Sequence, residues 1–169
     1  MGVEVIDNYL PWEIFDELRS MICWNDGFPW SIVKQINDDR LENDLCNWYG
    51  IHMFYENDNP TTPFYNQLLR PLLIRKMIED GRLKSLLRAK ANFYSYTQDI
   101  VNHQSHFDYS FSHKASVYSL NTCNGHTRIG DEIVESVENR IVFFDGSLTH
   151  NSTSTSDNKG RFNINLNFF

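Results

Sequence analysis

The last strand-like stretch, Arg161-Phe162-Asn163-Ile164-Asn165-Leu166-Asn167-Phe168, alternates without a break. Side chains two apart on an extended chain share a face. Phe162, Ile164, Leu166 and Phe168 therefore take one side, and Arg161, Asn163, Asn165 and Asn167 the other. Such a segment belongs in a sheet with an apolar core on at least one face. In an ordinary half-buried strand the polar row would meet solvent. In a barrel that holds a dicarboxylate it would look inward, where a guanidinium fork binds a carboxylate bidentately. Periodicity alone leaves both arrangements open.

The segments before it are also short and β-branched or aromatic: 88–96, 114–121, 133–137 and 140–144. Turn chemistry separates them, at Asn124-Gly125, Asp145-Gly146 and Asp157-Asn158-Lys159-Gly160. Val3 to Ile6 alternates like a strand, and two further strand-like stretches cover 30–36 and 45–55. Asp7 or Asn8 could cap a helix that Pro11 opens and that runs to about Met21, with Trp12, Phe15, Leu18 and Ile22 on its apolar face. A second helix is expected over 62–79, with Phe64, Leu68, Leu72 and Met77 as its stripe and Gly81 as its stop. Two helices followed by many short strands predict a β-rich α+β fold, an antiparallel double-sheet barrel with helices packed on one face. No repeat or linker divides the 169 residues, so 1–169 is expected to be one domain.

Composition narrows the function classes. A net charge of −7 argues against nucleic acid and against a polybasic membrane patch. No apolar run is long enough to span a bilayer. Cys23, Cys46 and Cys123 are odd in number and far apart. Together with a start that lacks a secretory pattern, they fit a reducing cytoplasm. Asn151-Ser152-Thr153 matches a glycosylation acceptor formally, but in that setting it is expected to be three turn-forming residues.

The chemistry concentrates in His103-Gln104-Ser105-His106-Phe107-Asp108. On an extended strand His106 and Asp108 project together, while Phe107 is expected to point the other way into apolar packing. One imidazole and one carboxylate supply two legs of a facial metal triad. Alone, a His-x-Asp tripeptide is weak, since chance produces it on surface loops. His103 shares a strand face with neither residue. His150, just past the strand 140–144 and a tight turn, could face back into a barrel mouth as the third leg. Arg161 follows it by eleven residues (161 − 150 = 11).

Taken together, His106-x-Asp108, His150 and Arg161 resemble the iron(II)/2-oxoglutarate-dependent oxygenase superfamily, particularly its prolyl-4-hydroxylase-like branch. Val5 to Pro11 is similar to that family's opening strand and helix start. Ser116 to Asn121 with Asn124 to Gly130 resembles its strand and Gly-rich hairpin, and Ile141 to Gly146 its strand leading to the distal histidine. The match covers the C-terminal half well and the N-terminal third loosely; 22–60 match nothing in it. One departure is that Gly125 is followed by His126 where the family often carries a Gly pair.

The resemblance implies a double-stranded β-helix, of the jelly-roll or cupin-like kind. It implies iron(II) held by His106, Asp108 and His150, with 2-oxoglutarate as cosubstrate and ascorbate as an accessory cofactor. Arg161 would pair with the distal carboxylate of 2-oxoglutarate. A strand tyrosine would join it, Tyr94 by first choice and Tyr96 as the alternative on the same side. Asn92 and Asn163 would line the same polar pocket. The reaction implied is oxidative decarboxylation of 2-oxoglutarate to succinate, coupled to hydroxylation of a C–H bond, on a peptidyl proline or a small molecule.

Three competing readings stay open: a cupin-like metal protein without 2-oxoglutarate, a non-catalytic module whose metal takes a fourth ligand from His103, His126 or Cys123, and a β-rich interaction domain with incidental histidines. Substrate would be read by loops at the barrel mouth, 37–44 and 97–115. Trp24, Trp30, Trp48, Tyr49 and Phe54 could line a peptide groove or belong to the core. Oligomeric state is not readable.

Overall fold

A computed structural model gives the fold, and the structure describes residues 2–33 and 48–169. Among the described residues eleven strands carry it: β1 (Glu4–Ile6), β2 (Ser31–Val33), β3 (Tyr49–Glu56), β4 (Asn59–Pro60), β5 (Leu86–Ser95), β6 (Lys114–Ser119), β7 (His126–Ile129), β8 (Glu132–Glu135), β9 (Arg140–Asp145), β10 (His150–Ser152) and β11 (Gly160–Phe168). The large sheet runs β1-β9-β6-β11-β5-β3-β2, with β4 beside β3, and the small sheet runs β10-β7-β8. All of these pairings are antiparallel. Isolated bridges from Asn102 to Thr153 and from His106 to His150 extend the small sheet beyond β10. Of the expected strand over 30–36, Trp30 precedes the strand and 31–33 form β2; 34–36, the start of the 45–55 stretch, Cys46 and the loop 37–44 lie outside the described residues.

Two cores follow from strand alternation. Tyr118 of β6, Ile141 and Phe143 of β9, and Ile164, Leu166 and Phe168 of β11 pack against the helices. Ala115 and Val117, Val142 and Phe144 point the other way and meet Ile129 and Val134 of the small sheet. At the β11 end, the space between the sheets is polar instead. Arg161, Asn163, Asn165 and Asn167 are all buried there, so the alternating strand has its polar row inward.

Helix α1 (Trp12–Cys23) buries Phe15, Leu18 and Ile22 as expected. Trp12 does not join them and is half exposed, with the Arg19 guanidinium 5.2 Å from its ring centroid. Neither Asp7 nor Asn8 caps α1: Pro11 stands at the N-cap without a side-chain bond, and Asp7 pairs with Arg140. The entry is pinned by Asn139, whose Oδ1 accepts from Leu10 N at 2.9 Å and whose Nδ2 donates to Leu10 O at 2.8 Å.

The second helix differs more. Tyr65–Ile74 is π-helical and runs straight into α2 (Arg75–Glu79). Pro71 lies inside the π stretch; it has no N–H to give an α-type bond and crowds the carbonyl four residues back. The wider i→i+5 turns shift the stripe, so that Leu69, Leu73 and Ile74 are buried while Phe64 and Leu72 are only partly so. Gly81 ends the element with φ +68, the left-handed position that favours glycine. No described helix is long and apolar enough to cross a membrane. Cys23 and Cys123 are free thiols.

Candidate metal and oxo-acid site

The segment after β5 crosses the open end of the barrel and is stitched to β10. His106 N donates to His150 O at 2.9 Å, and His150 N to His106 O at 2.8 Å. This doubly bonded pair brings two imidazoles from distant parts of the chain side by side, with ring centroids 4.7 Å apart. Asp108 follows on a bend. One ligating atom from each of His106, Asp108 and His150 lies within 4.8 Å of the others. His103, His126 and Cys123 are not in that group, so among the described residues the cluster has three members.

Each imidazole is oriented by its own backbone. His106 Nδ1 lies 3.2 Å from Gln104 O, and His150 Nδ1 lies 3.1 Å from Leu148 O. A carbonyl only accepts, so each Nδ1 carries the proton and each Nε2 keeps its lone pair for a metal. Both Nε2 atoms stand 3.8 Å from an Asp108 carboxylate oxygen. Asp108 Oδ2 is buried with no hydrogen-bond partner. The orphaned Oδ2 faces the His150 lone pair, and Oδ1 that of His106; the arrangement is costly as it stands and becomes favourable once a divalent cation lies between them. The donor set, two neutral imidazoles and one carboxylate on one side, suits an open-sided transition-metal site.

Electrostatics hold this set in its ligating form. Burial would raise the Asp108 carboxyl, but the charge of Arg88, with Nη2 at 2.6 Å, and to a lesser degree His150 bring it down to about 2. The Arg88 contact is an ion pair without hydrogen-bond alignment, since Nη2 and Nε of Arg88 find no acceptor. Burial lowers His150 as well, opposed by its bond to Leu148. His103 is pulled down to about 4 by burial and then by Arg161 and His106. It therefore stays neutral, with Nδ1 2.7 Å from Ser152 Oγ. Phe107, expected to enter apolar packing, is instead 56% exposed. The bend at Asp108 breaks the strand, so Phe107 stands at the mouth.

Behind the triad lies a pocket lined by β3, β5, β6, β10, β11 and β7. Register sets its rungs, pairing Arg161 with Tyr94, Asn163 with Asn92, Asn165 with Lys90, and Asn167 with Arg88. Directly paired residues share a face, so β5 offers Arg88, Lys90, Asn92 and Tyr94 to the lumen. Asn92 and Asn163 both line the pocket and bond to each other at 2.9 Å, which leaves Asn92 Oδ1 without a partner. Tyr94 is buried on the wall, stacked on Tyr49 at 5.7 Å and 17°. Tyr96 is 52% exposed and not on the wall; past Ser95 the strand has ended and the inward register is lost.

Arg161 is 1% exposed, with no carboxylate partner among the described residues. Its Nη2 donates to Thr127 Oγ1 at 2.6 Å and its Nη1 to Thr153 O at 3.3 Å, and Nε is left unpaired. The guanidinium sits just behind the wall that Thr127 and Tyr94 form. The hairpin needs its one glycine at 125: a Cβ there would come 2.6 Å from Ser154 O and 2.8 Å from Arg161 Cδ. Asn151-Ser152-Thr153 is not a turn. It is β10 and its continuation, with Asn151 buried, Ser152 on the pocket wall and Thr153 accepting from Arg161.

Arg88, Lys90, Thr127 and Ser152 were not foreseen as site residues, and Tyr49, expected in a peptide groove or the core, lies on the pocket wall. Arg88-Ala89-Lys90-Ala91-Asn92 carries a period-2 signal, but small alanines opposite long polar residues resemble a solvent-facing strand. Burial, followed by repulsion from Arg88, brings the Lys90 ammonium down to about 8.

No family model and no curated protein matches this sequence. Solved structures do. An oxidoreductase of the 2OG-Fe(II) oxygenase family from Burkholderia pseudomallei aligns with a TM-score of 0.68 at 10% identity, over 98% of this chain and 84% of that one. A prolyl hydroxylase from Trichoplax adhaerens, solved with a hypoxia inducible factor oxygen degradation domain peptide, aligns at 0.65 and 14%, over 99% and 83%. A viral collagen prolyl hydroxylase from Paramecium Bursaria Chlorella virus-1, solved with 2OG, aligns at 0.60 and 10%, over 100% and 97%. At such identities the likeness establishes the fold: this chain is a double-stranded β-helix of the kind found in 2OG-Fe(II) oxygenases.

Proposed function

We propose that the protein is an iron(II)- and 2-oxoglutarate-dependent oxygenase. The observation that carries this reading is the three-residue set His106, Asp108 and His150, open on one side onto a pocket and containing an orphaned carboxylate oxygen. Iron and 2-oxoglutarate together supply oxidative decarboxylation to succinate and an oxidant able to hydroxylate a C–H bond. The protein's part is geometric and electrostatic. His106, Asp108 and His150 hold one face of the metal, and the two Nδ1–H bonds fix the imidazole tautomers. Arg161 offers a buried positive charge to the distal carboxylate, and Tyr94 borders the same space. Asn92 and Asn163 supply neutral polar walls, and Val117 adds an apolar wall backed by the core of Val142 and Phe144.

A peptidyl proline is the substrate we favour. The Trichoplax relative holds a peptide, and the exposed Phe107 and Phe111 stand on the segment that frames the mouth here. One observation favours a metal protein without oxo-acid chemistry: Arg161 lies behind the wall, its Nη1 and Nη2 already donating. An anaerobic titration with iron(II) and 2-oxoglutarate separates the two. A visible charge-transfer band in wild type, absent in His150→Ala and needing far more cosubstrate in Arg161→Ala, supports the oxygenase. A folded, iron-loaded wild type without a band rules it out.

A further inference from the structure

We propose that Lys90 is a second carboxylate-binding residue of this pocket, distinct from Arg161; the inference rests on the oxo-acid reading above and deepens it. Three buried or half-buried cations face the inner space, namely Arg88, Lys90 and Arg161, against one carboxylate, Asp108. Arg88 is committed to Asp108. Arg161 is screened by Thr127 and Tyr94, and its Nη groups already donate to Thr127 and Thr153.

Lys90 differs on both counts. It lies on the wall itself, in the same pocket as His106, Asp108 and His150. Among the described residues its ammonium forms no ion pair and donates no hydrogen bond. The charges near enough to act on it are Arg88, Asp108 and Glu56. A half-buried ammonium on the wall of a pocket, with no acceptor of its own, is placed to take the anion of a ligand that enters there.

The register makes this sterically reasonable. Lys90 pairs with Asn165 and Tyr94 with Arg161, so the two cations stand four residues apart along β5, or about 13 Å between backbone positions at strand spacing. Between them lies the Asn92–Asn163 rung. A five-carbon dicarboxylate lying along that rung has anionic oxygens at both ends. One cation near the metal and one deep in the barrel together match that pattern better than Arg161 alone.

The test compares wild type with Lys90→Met, Lys90→Gln and the charge-keeping Lys90→Arg. Each is titrated anaerobically, iron-loaded, with 2-oxoglutarate and with 2-oxobutyrate, which lacks the distal carboxylate. Thermal midpoints with and without 2-oxoglutarate are recorded alongside. Lys90→Met and Lys90→Gln are expected to need at least about tenfold more 2-oxoglutarate, with Lys90→Arg close to wild type. If the preference for 2-oxoglutarate over 2-oxobutyrate collapses, Lys90 meets the distal carboxylate. If both acids weaken equally, it meets the carboxylate beside the keto group. Unchanged half-saturation in Lys90→Met and Lys90→Gln overturns the proposal. Should wild type give no band while 2-oxoglutarate raises its midpoint and not that of Lys90→Met, the iron assignment fails and Lys90 stands. If 2-oxoglutarate raises no midpoint at all, Lys90 falls too.

Discussion

Arg88 Nη2 stands 2.6 Å from Asp108 Oδ1, and the other carboxylate oxygen of Asp108 faces His150 Nε2 at 3.8 Å. The aspartate is thus held by an arginine on one side and left open to a metal on the other. Removing the arginine from the metal-free protein leaves a mostly buried carboxylate without its ion-pair partner. Arg88→Met is therefore expected to lose about 2–4 kcal/mol in urea denaturation of the metal-free form. Much of that loss should return on adding a divalent cation, since ligand at a hundredfold over Kd contributes about 2.7 kcal/mol. A loss of equal size with and without cation would show that Arg88 has no part in holding the site.

The same pair sets an acid limit. Asp108 is lowered from 3.8 to about 2 in the folded state. Its contribution is therefore present above the unfolded value and disappears as the pH falls from about 4 through about 2. In the metal-free protein, Asp108→Asn should flatten the stability curve across that window. A wild-type curve already flat between pH 4 and 2 would contradict the depressed value.

Metal removal should separate ligands from bystanders. Wild type is expected to bind one equivalent of iron(II) or zinc by calorimetry. Asp108→Ala and His150→Ala should abolish stoichiometric binding, whereas His103→Ala should retain it, because His103 is engaged with Ser152 and lies outside the cluster. Loss of binding in His103→Ala would move the site one turn of chain upstream.

Much of this was legible in residues 103–108 and 161–168, because period-2 alternation survives in any sheet. The direction of the β11 polar row was not, since inward or outward depends on the small sheet closing over it. Arg88 and Lys90 stayed hidden for the same reason. The bend that exposes Phe107 and the end of β5 that turns Tyr96 outward are local irregularities with no Gly or Pro to announce them. The π-helical turns over Tyr65–Ile74 did have a marker in Pro71, but a single proline in a helical pattern also marks a kink or an end.

Gly125 gives a prediction about the buried guanidinium. Its missing side chain leaves room for Ser154 O and Arg161 Cδ. Gly125→Ala must push against a backbone carbonyl and the root of the arginine at once. The variant should lose about 1–3 kcal/mol of stability and bind 2-oxoglutarate more weakly, although residue 125 lies in no part of the pocket wall. Gly130→Ala, at the β7–β8 tip with φ +56 and open space around it, should cost about 1 kcal/mol of stability while leaving 2-oxoglutarate affinity unchanged. Equal binding loss in both would mean that hairpin integrity, not the placement of Arg161, is what the ligand senses.

The two tyrosines of β5 and its end provide the last comparison. Tyr94 is buried on the wall, stacked between Tyr49 and His103, with Arg161 Cζ 5.8 Å from its ring. Tyr96 stands outside, half exposed. Burial raises the Tyr94 hydroxyl above its ordinary value, so it remains a neutral donor at any pH the protein tolerates. Tyr94→Phe should then raise the 2-oxoglutarate concentration for half-saturation by about three- to tenfold, the worth of one hydrogen bond, with little change in thermal midpoint because the stacking ring remains. Tyr96→Phe should leave both quantities unchanged. The reverse ranking, read by the same anaerobic titration, would mean that the end of β5 refolds around the ligand and brings Tyr96 inward.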